Sequence, residues 1–246
     1  MRTWRRFCSG RWSRPVVDVT HDSTTWRIVQ QPSDDWQAAS AIGTGAIVWD
    51  GALTLGRYLL LNRSDELRGA TVLELGSGCG ALAAMLTAAS PRIIYATDRE
   101  QVLPLLRKTI ALNEAQIRAP VSAEALEWSD LATRSDGKMS AALAEIIRQN
   151  AIDVLVCSEL LYAFPGRDPF GPLSTALVRL IGPRTTCFFY FNGRGLDCTP
   201  FFETVRRGGL SIKRIKLALD EGAGTILQIR QSERARETRA AGTCTA

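Results

Sequence analysis

The chain has 246 residues, 46% of them hydrophobic and 22% charged, with a formal net charge of +5. That is length enough for one domain with a full core, and no apolar run is long enough to cross a bilayer. Arg2, Arg5, Arg6, Arg11 and Arg14 all precede the first acidic residue, Asp18, and without them 25 basic and 25 acidic residues remain, so the charge does not mark a nucleic-acid-binding body.

In chain order, residues 1–15 read as a basic, disordered leader, and an Arg-rich, acid-free start is also compatible with a mitochondrial transit peptide. Residues 16–61 form an N-terminal extension. Within it Val16–Val19 and Trp26–Gln31 suit a small hairpin, and a helix runs from the Gly43–Ala52 segment through Leu61. From Val72 onward apolar runs alternate with helical patterns, the signature of βα units on a parallel sheet. The predicted strands are Thr71–Leu75, Arg92–Thr97, Val121–Glu127, Ile152–Cys157 and Thr185–Phe191. The predicted helices between them are Gly80–Ala89, Glu100–Gln116, Met139–Gln149 and Leu173–Ile181. Thr199-Pro200 starts a further helix and Gly208-Gly209 stops it. Leu210–Leu217 and Thr225–Ile229 flank a Gly-rich turn and read as a closing hairpin. The tail 231–246, charged and then small and polar, reads as disordered. The fold class is α/β, a Rossmann-like doubly wound seven-stranded sheet that ends in an antiparallel hairpin.

The most informative stretch is Val72-Leu73-Glu74-Leu75-Gly76-Ser77-Gly78-Cys79-Gly80: a strand ending in an acid, a glycine loop, then a helix. Glycines allow positive φ and close backbone approach, and the helix amides favour an anionic group. Glu74 suits a cationic one. A ligand carrying both signs, such as the methionine end of S-adenosylmethionine (SAM), matches this pair better than a pyrophosphate. Asp98, 22 residues after Gly76, is placed to accept ribose hydroxyls, or to cap the following helix. A nicotinamide reading lacks support, because none of Tyr58, Tyr95, Tyr162 and Tyr190 is followed four residues later by lysine.

Trp128, after the third strand, and Trp49 can each pack on an adenine ring or belong to the core. Glu159, at the tip of the fourth strand, can attract and orient an incoming ammonium or serve as a loop carboxylate, and Tyr162 can wall the cation. The Asn/Asp-Pro-Pro-Tyr motif of base-amine methylation is absent. The six cysteines (Cys8, Cys79, Cys157, Cys187, Cys198, Cys244) contain no Cys-x-x-Cys pair and His21 is the single histidine, so no metal site is expected. Cysteines inside apolar segments fit free thiols in a reducing compartment, with the cytoplasm the first expectation.

Four segments together resemble one family. Gly-Thr-Gly-x-x-Val-Trp-Asp at 43–50, Leu-Glu-Leu-Gly-Ser-Gly-Cys-Gly at 73–80, Ala-Thr-Asp-Arg at 96–99, and Leu-Glu-Trp-Ser-Asp followed by Ser-Glu-Leu-Leu-Tyr are similar to the seven-strand (class I) protein-lysine methyltransferases of methyltransferase family 16. The resemblance covers roughly residues 26–230 and implies a methyltransferase domain over 62–230 with SAM as cofactor. It implies that Trp49, Gly76, Ser77, Gly78, Asp98, Trp128 and Ser158 contact SAM, with Glu74 beside them. Glu159 and Tyr162 occupy the ends of the family's Asp-x-x-Tyr motif, with Glu here in place of Asp. The implied partner is a protein substrate, of the kind of a chaperone, an ATPase or a translation factor, with no nucleic acid and no membrane, and the expected state is a monomer.

Overall fold

The computed structural model describes residues 10–32, 43–133, 137–162, 170–193, 195–216, 224–235 and 237. Residues 1–9 of the leader, the hairpin turn before Gly224 and the end of the tail lie outside them. Among the described residues, nine strands form two sheets. β1 (Val16–His21) and β2 (Thr24–Val29) make a two-stranded antiparallel hairpin. The main sheet has the order β5-β4-β3-β6-β7-β9-β8, built from β3 (Thr71–Leu75), β4 (Ile93–Asp98), β5 (Val121–Ala125), β6 (Val154–Ser158), β7 (Thr186–Phe191), β8 (Leu210–Ile215) and β9 (Thr225–Gln231). The first five pair in parallel, and β9 runs antiparallel to both β7 and β8. The seven-stranded plan with its closing hairpin is the one the sequence pattern predicts.

Successive side chains on a strand point to opposite faces, and here that rule sorts the core into two clusters. Leu73, Leu75, Leu155, Cys157, Cys187 and Phe189 face one layer of helices: α5 (Trp128–Thr133), α6 (Ala141–Arg148), α7 (Phe170–Leu180) and α8 (Thr199–Arg207). Val72, Ile94, Ala96, Val154, Val156, Phe188 and Tyr190 face the other: α1 (Asp50–Asn62), α2 (Ser64–Leu67), α3 (Ala81–Leu86) and α4 (Leu103–Leu112).

Several boundaries differ from the sequence expectation for local reasons. α4 starts at Leu103, not Glu100, because Pro104 sits in its first turn, where a missing N–H is harmless. α2 and α5 are helices of four and six residues, too short to leave a periodic signature. Gln231, expected to begin the tail, instead ends β9, paired with Leu210 and 7% exposed. The end of the expected leader is also ordered: Gly10–Ser13 is a turn of 3-10 helix.

The β1–β2 hairpin is fastened to the main body. Val17, Val19, Trp26 and Ile28 pack with Ala81, Ala84 and Met85 of α3 and Leu105 of α4. The outer edge of β2 is satisfied by side chains of α4 and its C-cap residue, Asn113. Asn113 Oδ1 accepts from Arg27 N at 2.7 Å, Asn113 Nδ2 donates to Arg27 O at 2.8 Å, and Thr109 Oγ1 accepts from Val29 N at 3.1 Å. Gln30, 4% exposed, accepts from Val48 N and donates to the carbonyl of Arg14. Replacing Asn113 by Ala leaves part-buried backbone groups unpaired, and the expected cost is about 1–3 kcal/mol in denaturant unfolding. Hydrogen exchange should accelerate at Arg27 first, while the amides of β3 and β6 stay protected.

Candidate active site at the carboxyl edge of the sheet

Strand register decides which side chains meet. Glu74 lies opposite Ala96 on one side and Val156 on the other, and Ser158 lies opposite Tyr190. Two residues beyond Ala96 on the same face stands Asp98. Glu74, Asp98, Ser158 and Tyr190 therefore share the α1–α3 face, at the carboxyl ends of four adjacent strands. Ligands of open parallel sheets bind at this edge, where the strand order reverses, here between β3 and β6.

The glycine loop turns on three residues of positive φ: Gly76 at 65°, Gly78 at 53° and Gly80 at 84°. Each meets a different neighbour. A Cβ at Gly76 would lie 2.5 Å from Leu160 Cδ2, one at Gly80 2.5 Å from Leu106 Cδ1, and one at Gly78 3.1 Å from the carbonyl oxygen of Gly45. The sequence suggested close approach to a ligand, whereas the glycines also admit Leu160 just after β6, α4 and the Gly43–Ala46 turn. Cys79 is buried in the cluster that holds the hairpin, and burial pushes its thiol up to about 12, so it is a packing residue and not a nucleophile.

Asp98 holds the loop. Its Oδ2 accepts from Gly78 N at 2.8 Å and its Oδ1 from Arg99 N at 2.8 Å. Both oxygens keep a further lone pair, and burial raises the carboxyl above its ordinary value despite these bonds. Asp98 is not the N-cap of α4, which is Val102 with no side-chain cap, and the capacity to accept two hydroxyls remains. Beside it, between the loops after β4 and β5, is a cavity of about 310 Å³ whose lining includes Gln101, Leu126, Glu127 and Lys138.

Glu74 is 3% exposed, and burial pushes its carboxyl up to about 8, with the nearby Ser77 hydroxyl countering part of that rise and Asp98 adding to it. Glu74 Oε2, Ser77 Oγ and Ser158 Oγ are all buried and make no hydrogen bond of good geometry among the described residues, although the Ser77 hydroxyl lies near enough to Glu74 to lower its carboxyl. Orphaned buried oxygens are uncommon, and three at one sheet edge mark a place built for a ligand that brings hydrogen-bond donors.

Trp49 immediately precedes α1, whose Gly51 lies against Glu159 and Tyr190. Its Nε1 donates to Thr44 O at 2.7 Å, and its ring meets Trp12 edge-on at a centroid distance of 4.9 Å. Trp12 in turn donates to Val48 O at 3.1 Å. Sequence reading missed Trp12, which carries no motif and meets its partner 37 positions away. Trp128 opens α5 and is half-buried against the cluster of Leu126 and Leu131, which gives weight to its core reading. Glu159 follows β6 with φ +58°, a left-handed conformation that is strained for a side chain of this size, and donates its N–H to Tyr190 O at 2.9 Å. Tyr162 is half-buried three residues on, just before residues outside the description. His21 lies at the opposite, amino edge of the sheet, in a concavity of about 190 Å³ with Arg68 and Arg118, so no histidine serves this site.

A family profile described as lysine methyltransferase matches residues 31–208. The chain belongs to that family. Mouse methyltransferase-like protein 22 is 33% identical over 168 residues, 63% of this chain and 42% of that protein. Mouse protein N-lysine methyltransferase METTL21A is 29% identical over 140 residues, 56% of this chain and 60% of that protein. The chain thus spans under two thirds of these relatives' lengths. Among solved structures, the T. thermophilus 16S rRNA methyltransferase RsmC, in complex with AdoMet and guanosine, superposes with a TM-score of 0.58 at 19% identity, over 89% of this chain and 50% of that one. That likeness concerns the fold.

The Glu74 shift has a stability consequence with a definite sign. Between the ordinary value of 4.5 and about 8, the folded state keeps a proton that the unfolded chain has released. The group's contribution is full below that window and is lost as pH rises through it. The melting temperature should fall between pH 5 and 8.5, and Glu74→Gln, which stays neutral, should flatten the fall. An equal slope in both proteins would show that Glu74 ionises normally.

Proposed function

We propose that the chain is a SAM-dependent N-methyltransferase that methylates a lysine side chain of a protein substrate. The observation that carries this reading is the set of three unpartnered buried oxygens, on Glu74, Ser77 and Ser158, beside the glycine loop and Asp98. The family membership and the fold support it. The residues fit the cofactor. Asp98 has lone pairs for two ribose hydroxyls, and an α-ammonium would give Glu74 and the serine hydroxyls the donors they lack. Trp49, Gly76, Gly78 and Trp128 complete the walls of that site.

SAM supplies a methyl group on a sulfonium, a leaving group good enough that no covalent enzyme intermediate is needed. The chain's part is to bind, orient and dehydrate. Glu159 attracts the lysine ammonium to the edge and orients it, and Tyr162 lines its approach. The nitrogen must present a neutral lone pair in line with the methyl, so its proton leaves before transfer, with Glu159 the nearest acceptor in this reading. Cys79, Cys157 and Cys198 take no part, since burial raises them above their ordinary values. The free thiols of the core also support the cytoplasm as the compartment. The substrate we expect is a folded chaperone, ATPase or translation factor, and the charge balance outside the Arg-rich start gives no support to a nucleic acid.

Glu159→Ala should remove at least 99% of methyl incorporation from tritiated SAM into an extract of cells lacking this protein, while S-adenosylhomocysteine still raises the melting temperature. Asp98→Asn should weaken S-adenosylhomocysteine binding tenfold or more. Stabilisation by NAD in place of the adenosyl compounds would overturn the whole reading.

A further inference from the structure

Glu159 is held by two residues that no motif singles out. Its Cγ is the methylene by which Glu exceeds Asp, and a Cβ on Gly51 would stand 2.5 Å from it. The same Cβ would stand 2.5 Å from Tyr190 Cε1 and 2.6 Å from Cδ1. Tyr190 has little freedom to yield. It is 3% exposed, and its hydroxyl would lie 2.1 Å from a Cβ on Gly224, so its ring is wedged between α1 and the start of β9. Its carbonyl also accepts the Glu159 N–H, which ties the backbone of one to that of the other.

We propose that Gly51 and Tyr190 form a socket for the Glu159 methylene, and that this socket places the carboxylate. Gly51 and Tyr190 are then positioning residues. This rests on the reading of Glu159 as the group that orients the amine. A side chain longer by one methylene needs a place to put it. Gly51 provides the space at the first turn of α1, and the Tyr190 ring closes the far wall. The carboxylate is carried past α1 toward the edge. An aspartate here, with the same first torsion, would have its carboxyl carbon where the methylene now lies, short of the edge. Charge alone would not restore function.

Three experiments test this. Glu159→Asp keeps the charge and should lower methyl incorporation from tritiated SAM at least tenfold, with KM for SAM unchanged within twofold. Tyr190→Phe keeps the ring and should retain turnover within threefold, whereas Tyr190→Leu should lose it. The third reads no activity: Gly51→Ala is made in the wild type and in Glu159→Ala, and both pairs are unfolded in denaturant. The clash with Tyr190 is common to both backgrounds and cancels. Gly51→Ala should lower the folding equilibrium constant at least tenfold more when Glu159 is present. A variant that folds only in the Glu159→Ala background shows the same coupling at its limit. Equal cost in both backgrounds, failure to fold in both, or full activity of Glu159→Asp would each overturn the socket. Full activity of Glu159→Ala would instead sink the catalytic role of Glu159, while the unfolding cycle would still decide whether the socket exists.

Discussion

Everything at the functional edge depends on a carboxyl held out of water on the central strand. β3 is buried along its whole length, and its alternation leaves Glu74 no choice of face. The residue that would be harmless at a strand end exposed to solvent is here desolvated and raised to about 8. Such a group is poorly matched to apolar surroundings. It is better matched to a ligand with donors, which is the sense in which the strand, before any loop is considered, selects the chemistry of what binds.

The N-terminal segment packs on the glycine loop that follows that strand. The Gly43–Ala46 turn lies on the backbone of Gly78, and Trp12 meets Trp49 edge-on. The segment is kept there by the hairpin, whose outer edge is paired by Asn113 and Thr109 instead of by another strand. An unpaired strand edge invites association with other chains, and covering it with a buried side-chain amide and a buried hydroxyl closes that route. The same bonds therefore serve two ends: they remove a sticky edge and they hold the segment that packs on the glycine loop.

How much of this the sequence disclosed follows from the range of the interactions involved. The strands and the glycine loop were legible because their signals are local: β3 matches its predicted span from Thr71 to Leu75, and Pro200 and Gly208 bracket α8. Pro104 was an equally local signal, overlooked in placing the start of α4. The place of Asp98 at the end of a strand was legible from spacing, whereas its bonds to Gly78 and Arg99 were not. Nor was the socket. Gly51, Glu159, Tyr190 and Gly224 come from α1, the end of β6, the end of β7 and the start of β9, and nothing in any one segment announces the other three. Trp12 and Asn113 were hidden for the same reason, since each acts on a residue dozens of positions away. The motif showed that an acid stands at 159, but not why a longer acid is tolerated there.

That tolerance bears on the proton problem of amine methylation. A lysine ammonium, with an ordinary pKa near 10.4, must lose a proton before its nitrogen can act. A carboxylate beside it pulls the other way: the attraction that captures the ammonium also favours keeping it charged. The edge offers no histidine, and its buried thiols are held protonated, so the conflict cannot be passed to a better base. Exclusion of water lowers the amine's affinity for its proton, and a carboxylate within hydrogen-bond reach then becomes a competent acceptor. Both effects fall off steeply with distance. A fraction of an ångström in the position of the acid matters more here than its strength, and it is position that a wedged tyrosine and a missing side chain control.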